Sequence, residues 1–402
     1  MLSSVLHIIL VIVFFYFSLS VAYLFLFSIM GKLFYRERFS PSTAPLQRIA
    51  ILVPSYKEDG IILSTAKNLL SLNYPKHLFD VYILADSFIP GTIQELSSLP
   101  LEVLEVHFDK STKTKSLNEA FKRISTPYDI ALICDADNML SRDFLLRIDG
   151  AFANGARAIQ GRRVAKNLDT SFAILDACSE AINNNIFRRG ANALGLSSAV
   201  IGSGMAFEYD RIKKVLSEID AVGGFDKPLQ LKIVAQGIKI QYLEGAIVFD
   251  EKVESSGAFK QQRKRWVSSQ FIYLKEFFIP SLRQLFKGNV SYFNLAFANN
   301  IVLPRAFLLF LLPLITAGIY FYSVSWGTAF LILFLIYLLT LAVALPVKMV
   351  NRNLAQAFLH LPGAIAGMIM ALFQMKKANK TFIHTVHTKT EVSNTLFNDH
   401  GN

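Results

Sequence analysis

Residues 5–30 run without a single Asp, Glu, Lys or Arg. At ~1.5 Å per residue this is about 39 Å of helix, enough to cross a ~30 Å hydrocarbon core with some tilt. The run is too long for the core of a cleavable signal, and no Lys or Arg precedes it. Lys32, Arg36 and Arg38 follow at once. The positive-inside bias therefore predicts Met1 outside and residue 35 onward in the cytosol.

Comparable apolar runs return only at 301–322 and 327–347, joined by the uncharged stretch Ser323 to Trp326. These predict two further spans with an outside loop. Arg305, near the inner end of the first, either snorkels to the interface or faces a polar pathway. Lys348 and Arg352 close the second span on the inside. Residues 354–375 are apolar enough to span, but Pro362-Gly363 interrupts them and Lys376, Lys377 and Lys380 follow. Two basic flanks favour a re-entrant or interfacial segment over a crossing. Residues 277–297 mix aromatic and aliphatic side chains with Arg283 and Lys287, as an interfacial helix does. The predicted division is a membrane helix over 1–34, a cytosolic domain over 35–276 and an interfacial helix over 277–300. A membrane region follows over 301–375, with two spans plus a third or re-entrant segment, and then a tail over 376–402.

Composition narrows the function classes. Hydrophobic residues make up 52% and charged residues 18% of 402. That excludes a disordered chain and argues against an ordinary soluble enzyme. Most of the charge lies mid-chain, which argues against an all-membrane bundle. The formal net charge is +11, with many Lys and Arg beside apolar runs, so membrane lipid is the expected partner. No nucleic-acid-binding motif is present. The two cysteines, Cys134 and Cys178, lie outside any CxxC or Cys/His cluster, which argues against structural zinc or a disulfide framework.

Between 48 and 250, short apolar strands alternate with helical stretches. Strands are predicted at Arg48 to Pro54, Val81 to Ala85, near 101–106, and at Ile130 to Cys134. Helices are predicted at 61–72 and 114–124. This is the grammar of an α/β domain with a largely parallel sheet, whose ligands bind beyond the carboxyl ends of the strands. The polar residues sit at those ends: Ser55-Tyr56-Lys57-Glu58, Asp86, and Asp135-Ala136-Asp137. Two carboxylates one residue apart at a strand end can reach one hard cation; the alternative is a solvated turn that caps the next helix. Lys113-Thr114-Lys115-Ser116-Leu117-Asn118 opens a helix, where lysines are disfavoured unless an anion is present. A solvated basic face is the alternative reading. No P-loop or GxGxxG fingerprint occurs.

Taken in order, VPSYKE (53–58), ADS (85–87), KTKSLN (113–118), DADN (135–138), GSG (202–204) and QQRKRW (261–266) resemble the membrane-embedded family 2 glycosyltransferases, which include cellulose, chitin and hyaluronan synthases. The resemblance covers about residues 45–270. Its most specific element is Gln262-x-x-Arg265-Trp266 together with the DxD. It implies a GT-A type nucleotide-diphospho-sugar transferase domain, an inverting mechanism and Mg²⁺ or Mn²⁺. Carried over by motif, Tyr56, Glu58 and Asp86 would hold the nucleoside, with Lys113 or Lys115 beside it. Asp135 would contact the nucleotide and share the metal with Asp137. Gly202, Ser203 and Gly204 would form part of the acceptor floor. Gln262 and Arg265 would bind the donor, Arg265 at its diphosphate, and Trp266 would offer a flat face to a sugar ring. These three stand at i, i+3 and i+4 and so share a helix face; Arg263 and Lys264 are left for anionic lipid.

Asp226 takes the place of the catalytic base. Family members carry Glu-Asp followed by Asp-Leu, whereas this chain reads Phe225-Asp226-Lys227-Pro228-Leu229. A helix N-cap is the structural alternative for Asp226, and Asp210 and Asp220 are competing carboxylates. In the tail, Phe382 to His387 resembles a gating loop, with His384 and His387 replacing Val and Lys. The expected activity moves sugar from a nucleotide-diphospho-sugar donor to a growing polysaccharide or glycan, forming a β bond. The alternatives are a non-processive transferase with a lipid-linked acceptor, a non-catalytic membrane scaffold, and a nucleotidyltransferase. The expected setting is the bacterial inner membrane with the catalytic domain in the cytosol; export or assembly subunits would accompany polymer synthesis.

Overall fold

The computed structural model describes residues 2–37, 45–220, 224–363, 365, 387–394 and 396. Its centre is an eight-stranded mixed sheet. The strands are β1 (Ile49–Tyr56), β2 (Phe79–Asp86), β3 (Glu102–Val106), β4 (Ile130–Ile133), β5 (Met139–Leu140), β6 (Ala158–Ala165), β7 (Met205–Glu208) and β8 (Gln241–Asp250). Their order is β3-β2-β1-β4-β7-β6-β8-β5.

Near-continuous apolar runs make β1, β2 and β4 central strands, because a strand covered on both faces needs no polar alternation. Alternate side chains then feed two cores. Ala50, Leu52, Leu84 and Ile133 face one core with Leu117, Ala120 and Phe121 of the helix Lys113–Arg123. Ile49, Ile51, Val53 and Ile83 face the other, with Phe144 and Ile148. The 117, 120, 121 spacing is one face of a helix.

β1 to β4 pair in parallel, as the alternating pattern predicts. The second half departs from it: β7 lies antiparallel to both β4 and β6. After β6 the chain forms the helix Ser171–Asn183 and the turns up to Ala193 at the carboxyl edge of the sheet, against the N-terminal membrane helix. It re-enters from that same edge, so β7 must run backwards. No pattern within β7 itself carries this information.

The membrane part is built on close backbone approach. The helix Leu2–Ile29 continues through a wider turn, Met30–Phe34, and packs on Val324–Ala344. Ser28 Oγ donates to Thr340 O at 3.1 Å, and Val21, Leu24, Phe330 and Tyr337 are buried between the helices. Gly31 and Gly190 sit where a Cβ would overlap the backbone of Asn185 and Phe27 respectively. Small residues are what such a contact requires.

Val5–Phe34 and Val324–Ala344 are long and apolar enough to cross a membrane. The span predicted at 301–322 is instead a bent pair, Val290–Ile301 and Arg305–Tyr320, meeting at 48°. Pro304 breaks the run between them. The boundary expected at 276 falls inside one continuous helix, Ser256–Phe286, which carries the Gln262-x-x-Arg265-Trp266 motif straight into the interfacial segment. Beyond the short helix Arg352–Phe358 the question of 354–375 falls mostly outside the described residues, as do 382–386.

Candidate active site

The carboxyl ends of β1, β2 and β4 bring the motif residues together. β1 and β2 both end in left-handed turns, at Lys57 (φ 55°) and Ser87 (φ 60°). Lys57 N donates to Asp86 O at 3.1 Å and ties the two ends. Asp86 is buried at 1% exposure; Ser87 Oγ donates to its Oδ1 at 3.0 Å, and its Oδ2 has no hydrogen-bond partner. A buried carboxylate oxygen left open in this way can accept an N–H or O–H from a ligand. Tyr56 lies beside it under the Lys57 ammonium, 5.2 Å from the ring centroid. Glu58 is buried and accepts from His387 Nδ1 at 2.9 Å. The carboxyl-terminal strap therefore reaches the same strand ends, with Thr388 N and Lys389 N donating to the Glu251 carboxylate.

The Asp135–Asp137 turn is held from behind. Ser203 Oγ accepts from Asp135 N at 2.8 Å and bonds the Asn138 side chain. Lys166 Nζ donates to Asp137 O at 2.9 Å, and Glu251 N to Asp137 Oδ2 at 3.1 Å. Burial pushes the Asp137 carboxyl up to about 6; His387 opposes this, while Asp250 and Asp135 add to it. Burial disfavours charge on His387 too, but Asp137 and the bonded Glu58 outweigh it and push the imidazole up to about 10.

Lys113 pairs with Asp135 and donates to Gly202 O at 2.6 Å. Lys115 does not join it. Its side chain is exposed and its Nζ donates to Lys110 O at 3.0 Å, because it projects from the opposite side of the first helical turn. Of the glycine-serine-glycine run, Gly202 faces the site: at φ +82°, a Cβ there would lie 4.0 Å from Asp226 Cβ. Ser203 is fully buried under the acidic turn, and a Cβ on Gly204 would overlap Val248. These two support the floor from beneath and do not face it. Asp226 is the first residue of the helix Asp226–Ala235 and Phe225 holds the N-cap position, so the N-cap alternative is not what the structure has.

The motif helix forms the far wall. Trp266 is 39% exposed, and the Arg263 guanidinium lies over its ring at 4.5 Å. Arg263 is buried and paired with Asp176, contrary to the expectation that it meets lipid. A helix turns 100° per residue, so 263 and 266 share a face as well as 262 and 266 do. Gln262 is set back from the cavity, its Oε1 buried without a partner.

One cavity of about 1460 Å³ joins some of these parts; Tyr56, Glu58, Asp86 and Asp137 do not line it. Lys113, Asp135, Asp226, Arg265 and Trp266 line one end; Leu309, Tyr337, Leu341 and Leu345 of the membrane helices line the other. Arg305 lies on its wall, and its Nη2 donates to Ser179 O at 3.1 Å. It faces a polar pathway and does not snorkel outward. Asp220 also lines the cavity, whereas Asp210 sits in a separate surface groove. Of the two readings of Arg305, the polar pathway is the one that holds; Arg263 and, among others, Arg163, Glu180 and Arg188 are wall residues that sequence reading missed. The charge of Arg305 inside an apolar segment and of Arg263 inside a motif-bearing one was the available signal.

Residues 45–269 match a protein-family model described as "Glycosyltransferase like family 2". A beta-monoglucosyldiacylglycerol synthase of Nostoc sp. (strain PCC 7120) is 25% identical over 235 residues, covering 56% of this chain and 49% of that protein. The probable glycosyltransferase YdaM of Bacillus subtilis (strain 168) is 24% identical over 245 residues, 57% of each. The chain thus spans about half the length of the curated relatives it matches. A solved structure of the mannosyltransferase PcManGT from Pyrobaculum calidifontis, in complex with GDP-Man and Mn2+, superposes with a TM-score of 0.54 at 15% identity. That match covers 92% of this chain and 99% of the other, and it establishes the GT-A-like fold.

Proposed function

The chain belongs to glycosyltransferase family 2, and we propose that it transfers one sugar from a nucleotide-diphospho-sugar to a membrane-lipid acceptor, with inversion to a β bond. The observation that carries this reading is the single cavity running from Asp135 and Asp226 to a wall of membrane-helix leucines. A lipid hydroxyl could reach the acidic end while its tails stay among Leu341 and Leu345. The relative named for a glucosyldiacylglycerol product agrees with an acceptor of this class.

In this mechanism the Asp226 carboxylate takes the acceptor hydroxyl proton as the oxygen attacks the anomeric carbon from the side opposite the diphosphate. Lys113 and Arg265 offset charge on the departing diphosphate, and Trp266 presents a flat face to the sugar. Asp86 and Tyr56 would receive the nucleoside.

The acidic turn fits Mg²⁺ or Mn²⁺. Asp137 is a buried carboxyl pushed towards neutrality by its surroundings, a condition a cation relieves. Among the described residues no group of three His, Cys, Asp or Glu side chains is arranged to hold a metal, so phosphate oxygens and water would complete the shell of Asp135 and Asp137. When bound, the metal would supply further neutralisation of the diphosphate. Asp137 must shed its proton to ligate, so affinity should fail from about pH 6 downward, where an ordinary carboxylate would hold to about pH 4. Calorimetric titration with Mn²⁺ is expected to show about a tenfold loss per pH unit below 6. A flat affinity from pH 5 to 8 would remove Asp137 from the shell.

A growing polysaccharide is the second reading, favoured by the Gln262-x-x-Arg265-Trp266 motif. Radiolabelled UDP-glucose and GDP-mannose, incubated with the protein in membranes, separate the two. Label extracted into organic solvent as a single sugar on lipid is the expected result. Label confined to an ethanol-insoluble polymer would overturn it.

A further inference from the structure

We propose that the acceptor lipid carries a phosphate group, held in the cavity by Arg305 and Arg263; this rests on the lipid-acceptor reading above. Arg305 Nη2 and Arg263 Nη1 both donate to Ser179 Oγ, at 3.2 and 3.3 Å. Two guanidinium groups thus converge on one neutral hydroxyl. Asp176 pairs with Arg263. No carboxylate lies within ion-pair distance of Arg305 among the described residues, and its Nη1 is buried without a hydrogen-bond partner. Arg263 Nε is likewise buried and open.

A buried guanidinium with an unmet N–H and a like charge beside it is costly unless an anion completes it. Phosphate suits the fork of donors that two guanidiniums present. The location selects a lipid over the sugar donor. Arg305 begins the membrane helix Arg305–Tyr320, and the cavity beyond it is lined by Leu309, Tyr337 and Leu341. A headgroup there would have its tails in the apolar end. The nucleoside motifs lie elsewhere: Tyr56, Glu58 and Asp86, at the ends of β1 and β2, do not line this cavity, whereas Lys113, Asp135 and Arg265 do.

The test uses Trp266 as reporter, since it lines the cavity beneath Arg263. The chain has two tryptophans, so Trp326→Phe leaves Trp266 as sole emitter in the full-length protein. Dioctanoylglycerol 3-phosphate, dioctanoylglycerol and inorganic phosphate are titrated separately in detergent. The phosphate-bearing lipid is expected to half-saturate the Trp266 signal at a concentration at least about tenfold below the neutral one, the ratio one charge-assisted contact provides. Arg305→Gln should erase that ratio and Arg305→Lys should keep part of it. If Arg305→Gln fails to fold, the lysine variant and the wild-type ratio still decide. Equal half-saturation by the two lipids overturns the phosphate site and leaves the lipid-acceptor reading standing. Binding of neither lipid removes both. Inorganic phosphate saturating as readily as the phospholipid, or displacement of that lipid by UDP or GDP, would assign the arginines to a free anion or to the donor and end the proposal.

Discussion

Asp226→Asn should reduce sugar transfer by about 10²–10⁴-fold, the range that a positioned general base contributes. The substitution keeps shape and hydrogen-bonding capacity and removes basicity, so donor affinity should change less than twofold. Asp226 is suited to the task by position. It is the first residue of its helix, lines the cavity, and stands against Gly202, where the missing Cβ leaves room for an acceptor. Tyr273 donates to Gly224 O at 3.1 Å and so ties the motif helix to the loop carrying Asp226. The altered flanks also have a physical account. Phe225 is buried with the Lys113 ammonium 5.3 Å from its ring centroid, while Lys113 finds its carboxylate in Asp135. Pro228 falls in the first turn of the helix, where its missing N–H costs nothing. Single-turnover transfer and equilibrium donor binding should be measured on the same preparation, with Asp220→Asn as the neighbouring control. Normal transfer by Asp226→Asn, or an equal loss in Asp220→Asn, would remove Asp226 from the role.

Much of this site was legible because its residues follow strands. The apolar runs of β1, β2 and β4 announce buried parallel strands, and Glu58, Asp86, Asp135 and Asp137 come directly after them. Their convergence at one sheet edge follows from the parallel order alone. What stayed illegible depends on approach across the fold. Lys113 and Lys115 are alike in sequence, and only the helix phase separates the one on Asp135 from the one on Lys110. Ser203 reads as floor but is a strut, because β7 runs antiparallel beside β4 and buries it. Arg305 reads either as a snorkelling cation or as one facing a polar pathway until Ser179, 126 positions earlier, is brought against it.

The charge network in the cavity wall shows the same limit, and it supports the largest stability effect expected here. Glu180 is 3% exposed and accepts from Arg163 at 2.6 Å and Arg188 at 3.0 Å, with Lys252 Nζ at 4.0 Å. Burial alone would raise its carboxyl, but Arg163, Arg188 and Lys252 outweigh burial and hold it well below the usual range. A depressed folded pKa contributes stability that is complete above the unfolded value of about 4.3 and lost only as pH falls through the lower folded value. The network should therefore hold throughout the neutral range. Glu180→Gln leaves Arg163, Arg188 and Lys252 with Asp250 as the one remaining carboxylate among these ion pairs. Breaking a buried pair from one side costs about 3–5 kcal/mol. For a protein of this size that is a fall of about 4–6 °C in the midpoint of thermal unfolding. Pairing Glu180→Gln with Arg188→Met should recover part of the loss, because the second change removes a stranded cation instead of adding one. Differential scanning fluorimetry of the single and double variants reads both effects. A double variant that loses as much as the two single losses added together, or more, would show that Arg188 and Glu180 do not stabilise each other and that the Asn184 Oδ1 contact at 2.7 Å suffices to hold Arg188.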